Sequence, residues 1–266
     1  MLAESVCKTR DGFDLAVQTG GVAGAPALLL LQGQANSHVW WDGLRGDFES
    51  DFQTITLDYR GTGSSRGAIA SWTTESFAAD AADVLESAGA SDALVYGTSM
   101  GGRVAQMLAA QHPDRVKALV LACTTPGGPN SVDRARKVSE ELARATAADR
   151  LSVLHDLFYT PAWPHAPKDS SLLGDTTMNQ QELAAHRKAS RRHDAWEVLP
   201  SIAVPTLVLH GEDDLMTPVE NARLLADRVP GARLHVYPGS RHGFFEEFSP
   251  QVTPAVLEFL SGSRTG

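Results

Sequence analysis

Three polar positions in this chain have the residue types and settings for nucleophilic acyl chemistry. Ser99 stands in GTSMGG, directly after the apolar run DALVY and directly before RVAQMLAAQHP, where Val104, Met107 and Leu108 recur at helical spacing. A serine at such a strand-to-helix turn holds its hydroxyl clear of the sheet, close to helix N–H groups that can face developing negative charge. The turn needs small neighbours, which Gly97 and Gly101 supply. A hydroxyl needs a base to take its proton, and the base needs an acid to orient it. His242, in SRHGFFEEF beyond the run ARLHVYPG, suits the base. Asp213 and Asp214, in EDDLMTP beyond PTLVLHG, are the candidate acids, with Glu212 beside them. A glycine, serine, glycine pattern is weak by itself in a chain with 23 glycines. Three polar groups beyond three strand-like runs form a constellation.

The elements that must position these groups are short apolar runs. ALLLLQG (27–33), FQTITLD (52–58), DALVYG (92–97), VKALVLAC (116–123) and PTLVLHG (205–211) end in glycine or polar residues, and three are nearly continuous in Leu, Val or Ala. That pattern predicts strands covered on both faces in a parallel sheet. Helix-length stretches lie between them, such as TTESFAADAADVLESAG with Phe77, Ala81, Val84 and Leu85 on one face. Alternation at this scale predicts an α/β fold with a mostly parallel central sheet and flanking helices. The Asp11-Gly12 signal predicts a hairpin at the sheet edge. ARLHVYPG supplies a last strand and PAVLEFL a closing helix. Between Cys123 and Pro205 the rhythm breaks for about eighty residues, too long for an ordinary connection. The segments SVDRARKVSEELARATAADRLSVLHDLF and TMNQQELAAHRKASRRHDAWEVLP read as helical there. We therefore divide the chain into a core of residues 1–123 and 205–266 and a helical cap insertion of residues 124–204.

Composition narrows the function. The chain has 266 residues, 42% hydrophobic and 21% charged, the balance of an ordinary globular protein. A net charge of −9 argues against nucleic acid or an anionic membrane as partner, since both call for a concentrated basic surface. The cluster Arg187, Lys188, Arg191 and Arg192 is short and reads as a solvated helix face. Two cysteines, Cys7 and Cys123, make no disulfide framework and no cysteine metal site. The N-terminal residues lack a signal-like pattern and no apolar run is long enough to span a bilayer, so a cytoplasmic location is expected. No HExxH or comparable spacing calls for a metal, and no cofactor is expected. Oligomeric state is left open between monomer and homodimer.

With these motifs in place, the sequence resembles the alpha/beta-hydrolase superfamily, especially its cap-bearing esterase, lactonase and carbon-carbon hydrolase branch. The resemblance spans nearly the whole chain: GTSMGG as the nucleophile elbow, the order serine, acid, histidine, LDYRGTGSS, and the pair VPTLVLHGEDDLMTPVENARLLA and YPGSRHGFFEE. It implies Ser99 as nucleophile, His242 as general base and Asp214 as acid, because the family acid falls three residues after the glycine corresponding to Gly211. It implies an oxyanion hole made by the backbone N–H groups of Met100 and Gln34. Gln32 stands where many relatives carry histidine, which affects loop hydrogen bonding rather than the backbone donor.

Substrate-pocket candidates are Gln32, His38, Trp40 and Trp41 near the oxyanion loop and Phe158 and Trp163 in the cap, with core packing the simpler role for the tryptophans. Tyr159 and Met178 share the cap. The glycines of DYRGTGSS suggest a tight turn with Asp58 and Arg60 as structural or pocket-rim groups, not a phosphate loop. The expected activity is metal-free hydrolysis of a small or medium carboxylic ester or lactone through an acyl-enzyme. The alternatives are carbon-carbon cleavage of a vinylogous ketoacid with Arg103, Arg187 or a cap arginine on its carboxylate, peroxide-dependent acyl transfer, and a non-catalytic ligand receptor. An elbow serine rather than aspartate disfavours dehalogenation and epoxide opening.

Overall fold

The computed structural model describes residues 2–146 and 148–263. Residues 1 and 264–266 of the core ranges and residue 147 of the insertion lie outside the described residues.

Eight strands form one sheet: β1 (Ala3–Lys8), β2 (Asp14–Gly21), β3 (Ala27–Leu31), β4 (Gln53–Leu57), β5 (Ala93–Thr98), β6 (Val116–Ala122), β7 (Thr206–Gly211) and β8 (Arg233–Tyr237). Their spatial order is β1-β2-β4-β3-β5-β6-β7-β8. β1 and β2 are the antiparallel hairpin expected at Asp11-Gly12, and β2 pairs antiparallel with β4. All pairings from β4 through to β8 are parallel. Every residue of β5 and β7 is buried, whereas β1 and β8, at the two edges, are mostly exposed. Continuous apolar sequence in the central strands thus reflects cover on both faces.

Alternation along each strand sends side chains to two separate cores. Leu29 and Leu31 of β3, Val95 of β5 and Val208 of β7 pack with helices α1 (Thr74–Ser87), α2 (Met100–Gln111) and α6 (Glu220–Arg228). Leu28 and Leu30, Tyr96 and Leu209 face the other way, onto Trp40, Trp41 and helices α7 (Phe244–Glu247) and α8 (Ser249–Gly262). Helix α8 starts five residues before the apolar run PAVLEFL, because Pro250 sits in its first turn where no N–H is needed.

The cap insertion carries helices α3 (Arg136–Arg144), α4 (Arg150–Phe158) and α5 (Gln180–Arg191). The first helical stretch expected from sequence is therefore two helices. Ala145 leaves the helical region at φ −56°, ψ 122°, and Thr146 starts a new turn by accepting from Arg150 N at 2.9 Å and donating from its hydroxyl to Asp149. Helix α5 opens with a capping box between Asn179 and Glu182 and stops at Arg191, short of the sequence stretch that suggested it.

The cap is bound to the core at both ends. From α4, Phe158 O accepts from Gly243 N at 2.7 Å, Tyr159 O accepts from Arg241 Nη1 at 2.9 Å, and Tyr159 Oη donates to Glu246. From α5, the Glu182 carboxylate meets Arg66 at 2.8 Å, and Ser190 accepts from Arg103 at 2.5 and 2.7 Å.

Candidate active site

Ser99 lies between β5 and α2 with φ +53°, a left-handed conformation that strains any residue with a Cβ. The turn closes only because its neighbours are glycines. A Cβ on Gly97 would stand 2.5 Å from Gly101 O, and one on Gly101 would stand 2.0 Å from Leu31 O. The strained residue is tied on both sides: Ser99 N donates to Ala122 O at 2.9 Å, and Ser99 O accepts from the Thr124 hydroxyl at 2.7 Å.

His242 follows β8 and is 1% exposed. Its Nε2 is 3.0 Å from Ser99 Oγ and its Nδ1 is 2.6 Å from Asp214 Oδ2. Asp214 follows β7, and its Oδ1 accepts from Met216 N at 2.8 Å and Thr217 N at 2.9 Å. Burial alone would raise the Asp214 pKa, but His242 and His210 outweigh it and hold the carboxyl well below the usual range. Asp213 is exposed, and Glu212 beside it is exposed as well. The structure thus brings Ser99, His242 and Asp214 into one hydrogen-bonded chain across the carboxyl ends of β5, β8 and β7.

The loop after β3 borders the elbow, since Leu31 pairs with Gly97. Gln34 lies on this loop, half-buried, and Met100 is the first residue of α2, so both backbone N–H groups lie at neighbouring strand ends. Gln32 is fully buried and ties the loop internally, its Nε2 donating to Leu57 O at 2.7 Å and Asn36 O at 3.3 Å. His38 is held by Asp58, 2.7 Å from its Nδ1, and that carboxylate raises the imidazole pKa. Asp58 also accepts from His38 N and Ser64 N, while Arg60 is shared between Asp80 and Asp11. Both residues of the DYRGTGSS turn thus serve internal structure.

Trp40 and Trp41 are buried, Trp40 stacked on Phe245 and crossed by Phe158, and Trp41 tilted on Tyr96. Phe158 reaches the relay directly, its ring crossing that of His242 at 4.8 Å between centroids. Trp163 stacks on Tyr159 at 4.9 Å, and Met178 is buried. A depression of about 420 Å³ lies beside the acid loop, lined by Asp213, Asp214, Leu215, Glu220 and Arg241, and its lining does not include Ser99 or His242. Among the described residues no three His, Cys, Asp or Glu side chains gather to hold a metal ion, and no helix is long and apolar enough to cross a membrane.

Two histidines at the site had no sequence signal. His186, on cap helix α5, accepts from Ala35 N in the loop after β3 at 3.3 Å, and its Nε2 donates to Arg60 O at 2.8 Å. Burial lowers its pKa to about 4. His210, on β7, lies against Asp214. Helical spacing marks His186 as one more residue of an amphipathic helix, and His210 reads as part of an apolar strand.

An eight-stranded, mostly parallel sheet with serine, acid and histidine at the ends of separate strands is the architecture of the α/β hydrolases. The chain belongs to the alpha/beta hydrolase fold family, which matches residues 26–249. It is similar to a Caulobacter protein provisionally named carbamate hydrolase RutD, 27% identical over 261 residues that cover 96% of this chain and 97% of that one. It is 26% identical over 271 residues to the bifunctional esterase/perhydrolase DCH of Acinetobacter calcoaceticus, covering 95% of this chain and 98% of the relative. The solved structure of a thermophilic esterase from Thermogutta terrifontis superposes with a TM-score of 0.81 at 26% identity, covering 99% of this chain and all of that one.

Proposed function

We propose that this protein is a serine hydrolase that cleaves a carboxylic ester or lactone through an acyl-enzyme, with a small molecule held beneath the helical cap of residues 124–204. The observation that carries this reading is the hydrogen-bonded chain from Ser99 Oγ through His242 to Asp214, at 3.0 and 2.6 Å. His242 Nε2 takes the Ser99 proton as Oγ attacks the substrate carbonyl, while Nδ1–H stays on the Asp214 carboxylate, which fixes the tautomer and stabilises the imidazolium. Met100 N–H and Gln34 N–H receive the oxyanion. The imidazolium then protonates the departing alkoxide, leaving the acyl group on Ser99. Water, deprotonated by His242, attacks the acyl carbon; the bond to Ser99 Oγ then breaks, the imidazolium returns its proton to Oγ, and the acid leaves.

The esterase names of the Acinetobacter and Thermogutta relatives support the ester class. The perhydrolase half of the Acinetobacter name favours a second reading in which peroxide replaces water in deacylation. Carbon-carbon cleavage has less support: Arg103 is committed to Ser190 and Arg187 is exposed. Two free, buried cysteines agree with a reducing, intracellular setting.

The test is intact-mass labelling by a fluorophosphonate, in the native protein and in Ser99→Ala, followed by a series of ester chain lengths and lactone ring sizes. One adduct on the native protein, none on the variant, and ester turnover lost with the label are expected. Ester turnover that survives in folded Ser99→Ala removes the proposal, and binding of an unaltered ligand without labelling points to a receptor.

A further inference from the structure

Asp214 has a second imidazole beside it that the proton relay does not use. His210 is fully buried, the fifth residue of β7. Its Nε2 donates to Thr217 O at 2.8 Å and stands 3.3 Å from Asp214 Oδ2, the oxygen that receives His242. Donation to a carbonyl places a hydrogen on Nε2. Nδ1 is buried without a hydrogen-bond partner among the described residues. An orphaned polar atom in a strand whose neighbours are Val208 and Leu209 costs stability that an apolar side chain would not.

The return for that cost lies at the acid. Thr217 N donates to Asp214 Oδ1 while Thr217 O accepts from His210, so strand, turn and carboxylate form one closed circuit. The positive end of the His210 N–H dipole also lies beside Oδ2. We propose that His210 is a positioning residue that locks the turn from Asp214 to Thr217 and keeps Oδ2 aimed at His242. This rests on the reading of Asp214 as the acid. Other titratable or charged groups near the carboxylate include His242 after β8, Cys123 after β6, and Arg134 from the loop beyond, whose Nη1 lies 3.6 Å from Met216 Sδ, while Glu212, Asp213, Glu220 and Arg241 line the same depression as Asp214.

The experiment compares His210→Gln, His210→Asn and His210→Leu on an ester that the native protein turns over. Glutamine carries an N–H at the reach of Nε2, asparagine falls one bond short, and leucine has none. Asparagine and leucine are expected to lower kcat about tenfold at unchanged KM. Glutamine is expected to restore it. Equal losses in Gln and Asn, or a loss that falls on KM rather than kcat, overturn the proposal, and the Gln–Asn pair decides it alone if the leucine variant does not fold. Asp214→Asn in parallel separates the two layers: retained turnover there removes the acid assignment itself, whereas its collapse beside unaffected His210 variants removes only the role of His210.

Discussion

The rings of Phe158 and His242 cross at 72° with centroids 4.8 Å apart, so the last residue of cap helix α4 supports the imidazole that faces Ser99. An edge-to-face pair of this kind limits how far the imidazole can rotate away from Oγ. Phe158→Ala is expected to lower kcat roughly tenfold through looser orientation and to lower stability by about 3 kcal/mol through the cavity it leaves. Ester kinetics corrected for folded fraction, beside urea denaturation, checks this. A kcat that is unchanged per folded molecule would limit Phe158 to packing.

The two neighbouring aspartates give a sharp contrast. Asp214→Asn keeps shape but loses the charge that faces His242 and offers an N–H to the wrong side of the imidazole; a loss of about 10³- to 10⁴-fold in kcat is expected. Asp213→Asn, on an exposed side chain, is expected to leave kcat within about twofold, since exposed substitutions away from partners have small effects. Steady-state kinetics of the pair on one ester decides it, and the reverse pattern would move the acid to Asp213.

His186 ties the cap to the loop after β3 only while neutral. Its pKa is about 4 in the folded protein against an ordinary 6.5, so the unfolded chain binds the proton first. Stability from this group is complete above about pH 6.5 and is lost as pH falls toward 4, a total on the order of 3 kcal/mol. Urea denaturation at several pH values should show this slope and a shallower one in His186→Gln. Parallel slopes in the two proteins would remove His186 as its source.

The elbow glycine has no tolerance. Gly101→Ala drives a methyl into Leu31 O, 2.0 Å away, and a loss of about 3 kcal/mol or more, with failure of Ser99 labelling, is expected. Gly46→Ala, with no atom within 4 Å of its Cβ, is expected to change stability by less than about 1 kcal/mol. Thermal denaturation with labelling checks the pair, and a folded, fully labelled Gly101→Ala would overturn the close-approach argument.

The parallel strands were legible because burial on both faces leaves one kind of sequence, as in ALLLL and VKALVLA. The Asp11-Gly12 hairpin was legible because its turn restricts residue choice. Ser99, Asp214 and His242 were legible as polar groups after apolar runs, although choosing between Asp213 and Asp214 required resemblance, since no local rule says which of two adjacent carboxylates turns inward. The division of α3 from α4 was hidden in a stretch of good helix formers, where the hydroxyl of Thr146 restarts the chain. The roles of His186 and His210 depend on partners 151 and a few residues away in the chain, Ala35 and Thr217. Composition carries no trace of either pairing.

The contacts that join the end of α4 to the loop bearing His242, Phe158 to Gly243 and Tyr159 to Arg241, fall on the two residues that flank this histidine in the chain, so its place opposite Ser99 is set by the insertion as much as by the sheet.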